Sequence, residues 1–374
     1  MSAACLSLTK LVVIAPHTDA ALHALATCAE RIRTETLELC RAPVSAHTVA
    51  PLAAFAGLCE VSLVCVRLTV PALSALLGAA GRAHWTGLAL RMTGLTAEHV
   101  VATAPLWVLG RLERLQVHGN PLGPDGCAVL LRAVAPSGAL RVVHITYCVN
   151  AGDGAGADAN AAAAATVQLV STNPHLSHLD LSGSIQGDAW VRGVAGSGAG
   201  ALGSLQELAL SATDLSSVAF GALLRLAPPS LRALCLAHNA IRDPPPLSPA
   251  PALIELDLAG NGLDAAALGA LRLSALAGSL CTLHLGMNKL GSTSASFELQ
   301  EQARGCPRLV FLNLECNDLD DGAVFALRDA LADPRQVCVL LGGNDLTNAC
   351  WAGLPSPHRF ELWVGCRSMC PPPW

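Results

Sequence analysis

Aromatic and charged residues are both scarce in this chain of 374 residues: aromatics make up 3% and charged residues 14%, with one tyrosine, Tyr147. Few of the aromatic anchors that usually dominate an interface are therefore available. Basic residues give no excess either. The net charge is −5 and the sequence pI near 6.2, without the basic footprint that nucleic-acid binding needs, so nucleic acid is excluded as an expected partner. Long apolar runs are missing too. Residues 42–59 and 159–179 lack charge, but Pro, His, Asn or Ser interrupt them, whereas a spanning helix needs about 20 predominantly apolar residues. The N-terminal "MSAACLSLTKLVVIAP" has no basic segment before its apolar stretch and no clear small-residue cleavage site. These features predict a soluble protein with no membrane insertion. Fifteen cysteines, scattered from Cys5 to Cys370 and odd in number, suggest reduced thiols in a cytoplasmic or nuclear setting more than a disulfide scaffold.

Leucine and alanine are abundant, and their order is periodic. In "LERLQVHGNPLGPDGCAVLL", Leu112, Leu115, Val117, Asn120 and Leu122 spell LxxLxLxxNxL. The frame recurs at Leu231, Leu253, Leu280 and Leu309, and weaker copies begin at Leu8, Thr34, Leu58, Trp85, Leu140, Leu176, Leu205 and Gln336. Thirteen starts have a mean spacing of about 27 residues, within the range of leucine-rich repeats.

Each unit changes rhythm at its asparagine. Leu115 and Val117 alternate with Arg114 and Gln116, so a short strand buries one face and exposes the other. Pro124 and Asp125 then signal a helix start, and Cys127, Leu130, Leu131 and Val134 follow at helical spacing. Similar helical returns are Leu73, Leu76, Leu77 and Ala80, and Val324, Leu327 and Leu331. The turn between them lies inside a stack, where peptide groups cannot all reach water. An asparagine amide can satisfy them, so Asn120, Asn239, Asn261, Asn288, Asn317 and Asn344 are expected to form a structural ladder. The predicted fold is an α/β solenoid: about 13 stacked repeats with a parallel concave sheet and a mostly helical convex side.

Units such as "LERLQVHGNPLGPDGCAVLLRAVA" and "LVFLNLECNDLDDGAVFALRDALA" resemble the ribonuclease-inhibitor-like subfamily of leucine-rich repeats, to which the repeat regions of NOD-like receptors and of the Ran GTPase-activating protein also belong. The resemblance covers roughly residues 8–348 and implies a horseshoe; its bearing on function is weak. The expected organisation is a solenoid over 1–348 and a C-terminal cap with a Pro-rich tail over 349–374. An insertion at 150–174 reads as a Gly/Asp loop followed by an Ala-rich helix, and a Pro-rich convex segment at 242–251 should be extended. Ser184 replaces the expected asparagine in the Leu176 repeat, which predicts an altered turn there.

Candidate chemistry lies on the exposed strand positions. His144, His178, Asp180 and Glu207 converge under the stacking scheme, and two histidines with two carboxylates are a conceivable divalent-metal set. An ordinary polar surface is the more economical reading, and no metal or cofactor is assigned. Cys235, Asp257 and His284 on successive strands have the residue types of a nucleophile, acid and base. However, the acid stands between thiol and imidazole, and an open sheet offers no oxyanion site. No phosphate-binding GxxxxGK loop, dinucleotide fingerprint, HExxH or GxSxG appears, which favours binding over catalysis. Glu207, Glu255, Asp257 and Glu315, against a lone Arg232, make the later strands acidic and favour a partner protein with a basic patch. The expected function is a protein-interaction scaffold whose binding surface includes Arg114, Gln116, His144, Tyr147, His178, Asp180, Glu207, Glu255, Asp257, His284 and Glu315. A GTPase-activating regulator and a sensor-type repeat region are the alternatives that the resemblance raises.

Overall fold

The computed structural model describes residues 6–14, 32–42, 44–49, 52–53, 55, 57–83, 85–149, 159–198, 200–247, 253–291, 295–331, 337–348 and 350. The chain divides into two compact units, Met1–Thr213 and Asp214–Trp374.

Eight strands belong to the first unit: β1 (Leu6–Ile14), β2 (Ile32–Cys40), β3 (Glu60–Val64), β4 (Gly87–Arg91), β5 (Arg114–His118), β6 (Val142–Thr146), β7 (His178–Asp180) and β8 (Glu207–Ala209). Within this unit each strand pairs in parallel with the one before it, from β2 to β8. The connections carry α1 (Ala46–Val49), α2 (Val70–Ala83), α3 (Ala97–Thr103), α4 (Gly123–Val134), α5 (Ala159–Thr172) and α6 (Gly187–Gly196). The second unit continues with β9 (Ala233–Cys235), β10 (Glu255–Asp257), β11 (Thr282–His284), β12 (Phe311–Asn313) and β13 (Cys338–Leu340), again parallel and in chain order. Its helices are α7 (Ser217–Leu226), α8 (Ala265–Leu271), α9 (Ala295–Gly305) and α10 (Asp321–Ala330).

The two hydrophobic rhythms account for these elements. Leu115 and Val117 of β5 are fully buried, while Arg114 and Gln116 between them are half-buried on the other face. Cys127, Leu130, Leu131 and Val134 of α4 are all buried, and so are the apolar stripes of α2 and α10. The core lies between strands and helices, because each repeat's apolar faces can be covered only by its neighbours. The helices α7, α8 and α10 are capped at the same place, one residue after the last leucine of the motif. The Asp264 and Asp320 carboxylates accept from the backbone N–H groups of Ala267 and Ala323, both at 2.8 Å, and the Ser216 hydroxyl accepts from Ala219 at 3.3 Å.

Two departures from the regular repeat have local causes. The described part of the Pro-rich segment, residues 242–247, is not helical, because proline cannot sustain an intrahelical ladder. It is packed nonetheless: Pro245 lies over Gly221 of α7, where an added Cβ would come within 2.9 Å of the ring, and the Leu247 N–H donates to the Leu271 carbonyl at 2.9 Å. In the 150–174 insertion, α5 is the expected Ala-rich helix, and the Gly/Asp part at 150–158 lies outside the described residues. The expected cap at 349–374 also lies outside them, apart from Cys350.

Candidate functional site

Backbone turns at the strand ends set the frame for every exposed side chain. The Asn288 carboxamide oxygen accepts from the N–H groups of Asn261 and Leu263, both at 3.0 Å, and its nitrogen donates to the carbonyls of Leu258 at 3.0 Å and Leu285 at 2.9 Å. Asn344 makes the same four bonds to Asn317, Leu319, Leu314 and Leu341. Asn120 bonds back to the N–H groups of Thr93 and Leu95 and to the Leu90 carbonyl, Asn261 to Ile241 N–H and the Leu236 carbonyl, Asn239 to Leu215 N–H, and Asn317 to the Leu285 carbonyl. Each amide thus ties a turn to the repeat before it. Ser184, expected to alter its turn, keeps part of this pattern: its hydroxyl accepts from Cys148 N–H at 3.1 Å and donates to the Ser182 carbonyl at 3.3 Å.

The residue before each ladder position has a left-handed backbone, a regularity that the leucine pattern does not announce. Cys65, Met92, Tyr147, Ala212, His238, Met287 and Cys316 all have φ between 51° and 57°, and Gly119, Gly183, Gly260 and Gly343 occupy the same place in other repeats. Large residues there lie over the next repeat's glycine: a Cβ on Gly183 would come within 2.8 Å of the Tyr147 ring, and one on Gly260 within 2.5 Å of His238. The arrangement holds Tyr147 and Met92 at the rim, 53% and 54% exposed.

In the first unit, strand register brings most of the expected site residues together. His144 stands opposite Gln116 and Asp180, and His178 opposite Glu207. His178 Nε2 lies 3.1 Å from a Glu207 oxygen, while its Nδ1 is 2.7 Å from the Ser177 hydroxyl. Asp180 is turned elsewhere, its carboxylate accepting from Ser182 N–H at 2.9 Å. Burial holds the His144 imidazole below its ordinary pKa, against the pull of the Asp180 charge. His118, absent from the sequence-derived set, joins the group: its ring meets Tyr147 edge-on at 5.7 Å, its Nδ1 is 2.9 Å from the Thr146 hydroxyl, and burial depresses its pKa also. Among the described residues, no group of three or more His, Cys, Asp or Glu side chains is arranged to hold a metal ion.

Arg114 reaches two strands away. Glu60, Gly87 and Arg114 stand in one row across β3, β4 and β5, and because Gly87 has no side chain the outer two meet over it at 2.8 Å. A Cβ on Gly87 would come within 2.8 Å of the Glu60 side chain. Gln116 accepts from the Arg91 guanidinium at 2.7 Å, and Arg91 too was missed from sequence.

In the second unit, Cys235, Asp257 and His284 are direct neighbours across β9, β10 and β11, with the acid in the middle. Asp257 accepts from Ala259 N–H at 2.9 Å, and His284 points diagonally to Glu255 at 3.8 Å and against the Phe311 ring, so imidazole and thiol are separated by a strand. Glu315 lies beyond β12, and its N–H donates to the Asn313 side-chain oxygen at 2.9 Å. Asp180, Asp257 and Asn313 therefore share one structural task, receiving the backbone N–H two residues on where the strand ends.

No protein-family model matches the chain, and no curated protein matches it in sequence. Among solved structures it is similar to a chain of the crystal structure of the Rad7 and Elc1 complex in yeast, with a TM-score of 0.57 and 16% identity, over 93% of this chain and 89% of that one. Weaker likenesses are to chains of the mouse RP105/MD-1 complex, with a TM-score of 0.42 and 17% identity over 93% of this chain and 53% of that one, and of the TLR13–ssRNA13 complex, with 0.37 and 15% over 94% and 57%. Identities this low speak to architecture alone. The likeness with the TM-score of 0.57, together with thirteen parallel strands in chain order among the described residues, gives the chain the leucine-rich-repeat fold.

Proposed function

We propose that this chain is a protein-interaction scaffold of the ribonuclease-inhibitor-like kind, binding a partner protein through the exposed rows of its strands. One observation carries the reading: on β4 to β8 the solvent-facing positions bring Arg91, Gln116, His118, His144, His178, Asp180 and Glu207 into register, with Tyr147 at their edge. The backbone beneath is held by the turn bonds described above, so these side chains are presented without a large ordering cost on binding. The structure with the TM-score of 0.57 is itself of a complex, which agrees with a binding role for such a fold. No catalytic role is part of this reading. In the second unit, Glu255, Asp257 and Glu315 favour a partner with basic groups, mainly through the rate of encounter. We place the protein in a reducing, cytoplasmic or nuclear compartment on its cysteine usage.

The test is affinity purification from native cells with the intact chain and with a His178→Ala, Asp180→Asn variant, the amide being kept so that the bond to Ser182 survives. A protein retained by the intact chain and lost from the folded variant supports the reading. The same proteins retained by both would move the site off β7, and retention of nothing by either would remove the scaffold reading. If the captured protein is a GTPase, stimulation of its hydrolysis by the purified chain would replace passive binding with regulation.

A further inference from the structure

In the second unit, the residues just ahead of β10, β11 and β12 form an apolar row. The Ile254 carbonyl accepts from Cys281 N–H and the Cys281 carbonyl from Val310 N–H, both at 2.8 Å, so the three stand side by side. The equivalent backbone bonds in the first unit link Thr86, Glu113, Arg141, Ser177 and Gln206, a polar set. Ile254 and Val310 are 44% and 53% exposed, and Cys281 between them is half-buried. Phe311, next to Val310, is half-buried with its ring 5.2 Å from that of His284. Single exposed apolar residues are ordinary, but contiguous ones on adjacent strands make a patch.

Carboxylates lie along one side of this row. Glu255 faces His284 at 3.8 Å, while Asp257 and Glu315 receive neutral donors, the Ala259 N–H at 2.9 Å and the Asn313 amide at 3.4 Å. Among the described residues, no Lys or Arg forms an ion pair with Asp257 or Glu315. Arg232, at the head of the row, donates instead to the Pro229 carbonyl at 3.1 Å.

The spacing selects the shape of an occupant. Neighbouring strands are about 4.8 Å apart, so the row offers one apolar contact per 4.8 Å step. Residues three or four apart on a helix rise about 4.5–6 Å along its axis, whereas alternate residues of an extended segment are about 6.8 Å apart. Three residues of strand separate Ile254 from Asp257, about 10 Å, which is the width of a helix.

We infer that Ile254, Cys281, Val310 and Phe311 seat an amphipathic helix of the partner protein, with its apolar stripe on this row and its Lys or Arg residues over Asp257 and Glu315. The inference rests on the scaffold reading and names the chemistry of the partner at β10 to β12. Burial of the stripe supplies affinity, and the carboxylates supply the preference for basic over acidic helices.

Anisotropy of a labelled, end-blocked peptide of about 15 residues, with Leu at helical spacing and Lys elsewhere, is titrated with the full chain. The comparisons are a peptide with Leu and Lys alternating and a helical-pattern peptide with Glu for Lys. The helical Lys peptide is expected to bind at least tenfold more tightly than either. Ile254→Ser combined with Val310→Ser should weaken it tenfold or more with the thermal midpoint level, since both side chains are exposed, and Glu315→Gln should weaken it several-fold. The β7 variant should bind it as the intact chain does. Equal binding of the two Lys peptides, no saturation by 1 mM peptide, an unchanged affinity in the double Ser variant, or loss of binding in the β7 variant would each overturn the helix seat. A dimer of the chain in sedimentation that the double Ser substitution dissolves would assign the row to a second copy and overturn it too. A partner captured from cells that survives the double Ser substitution but is lost with the β7 variant would end the helix seat and leave the scaffold standing.

Discussion

Truncating Asn288 to alanine isolates the contribution of one rung of the amide ladder. The side chain is buried and satisfies two backbone N–H groups, of Asn261 and Leu263, and two carbonyls, of Leu258 and Leu285, at 2.9–3.0 Å. Alanine leaves the two N–H groups without a partner, whereas the carbonyls of Leu258 and Leu285 keep the amides of Asn261 and Asn317. A hydrogen bond contributes about 1 kcal/mol net, and a buried group left unpaired costs about 1–3 kcal/mol. Two orphaned N–H groups, with one hydrogen bond lost at each carbonyl, imply a loss of about 3–5 kcal/mol. Urea unfolding followed by circular dichroism reads this as a lower midpoint. The comparison is Ser184→Ala, where the hydroxyl makes only two such bonds and the expected loss is about half as large. A cost below 1 kcal/mol for Asn288→Ala, or one no greater than that of Ser184→Ala, would refute the claim that the amides hold the turns together.

Two further outcomes are expected. Gly183→Ala requires a side chain at φ +60° and a Cβ within 2.8 Å of the Tyr147 ring, so a loss of about 1–3 kcal/mol is expected from strain and displacement; an unchanged thermal midpoint would show that the rim row tolerates a side chain at this step. The pKa values of His118 and His144 are lowered in the fold, so between those values and about 6.5 the unfolded chain binds more protons than the folded one. Their contribution is complete above about pH 6.5 and is lost as pH falls below it. The thermal midpoint should therefore drop from pH 7.5 to 5.5 and drop less in a His144→Gln variant; identical pH dependence in both would assign the effect to other groups.

Much of the architecture was legible because its causes are local. The spacing three, two, three, two of apolar residues and asparagine marks a strand and its turn within about ten residues, and the return to helical spacing needs only the next dozen. Thus α4 could be anticipated from Pro124, Asp125 and the stripe from Cys127 to Val134, and the proline-rich part at 242–247 from its inability to form a helix. The site was legible only as rows. Sequence placed His178 and Glu207 on neighbouring strands, where they meet, but it treated Asp180 and Asp257 as free carboxylates when both are turned to their own backbone. It also passed over Arg91 and His118, since an arginine or histidine on a strand carries no motif.

What the sequence by itself determined is the repeat, its strand and helix, and the face each buries, because these follow from side-chain periodicity along a single segment. The tertiary structure alone decided which exposed groups meet. Glu60 reaches Arg114 only because Gly87 stands between them, and the Tyr147 ring packs over position 183 only because Gly183 has no side chain there. Those pairs are 54 and 36 residues apart in the chain and come together through the parallel register, which the packing of whole repeats sets.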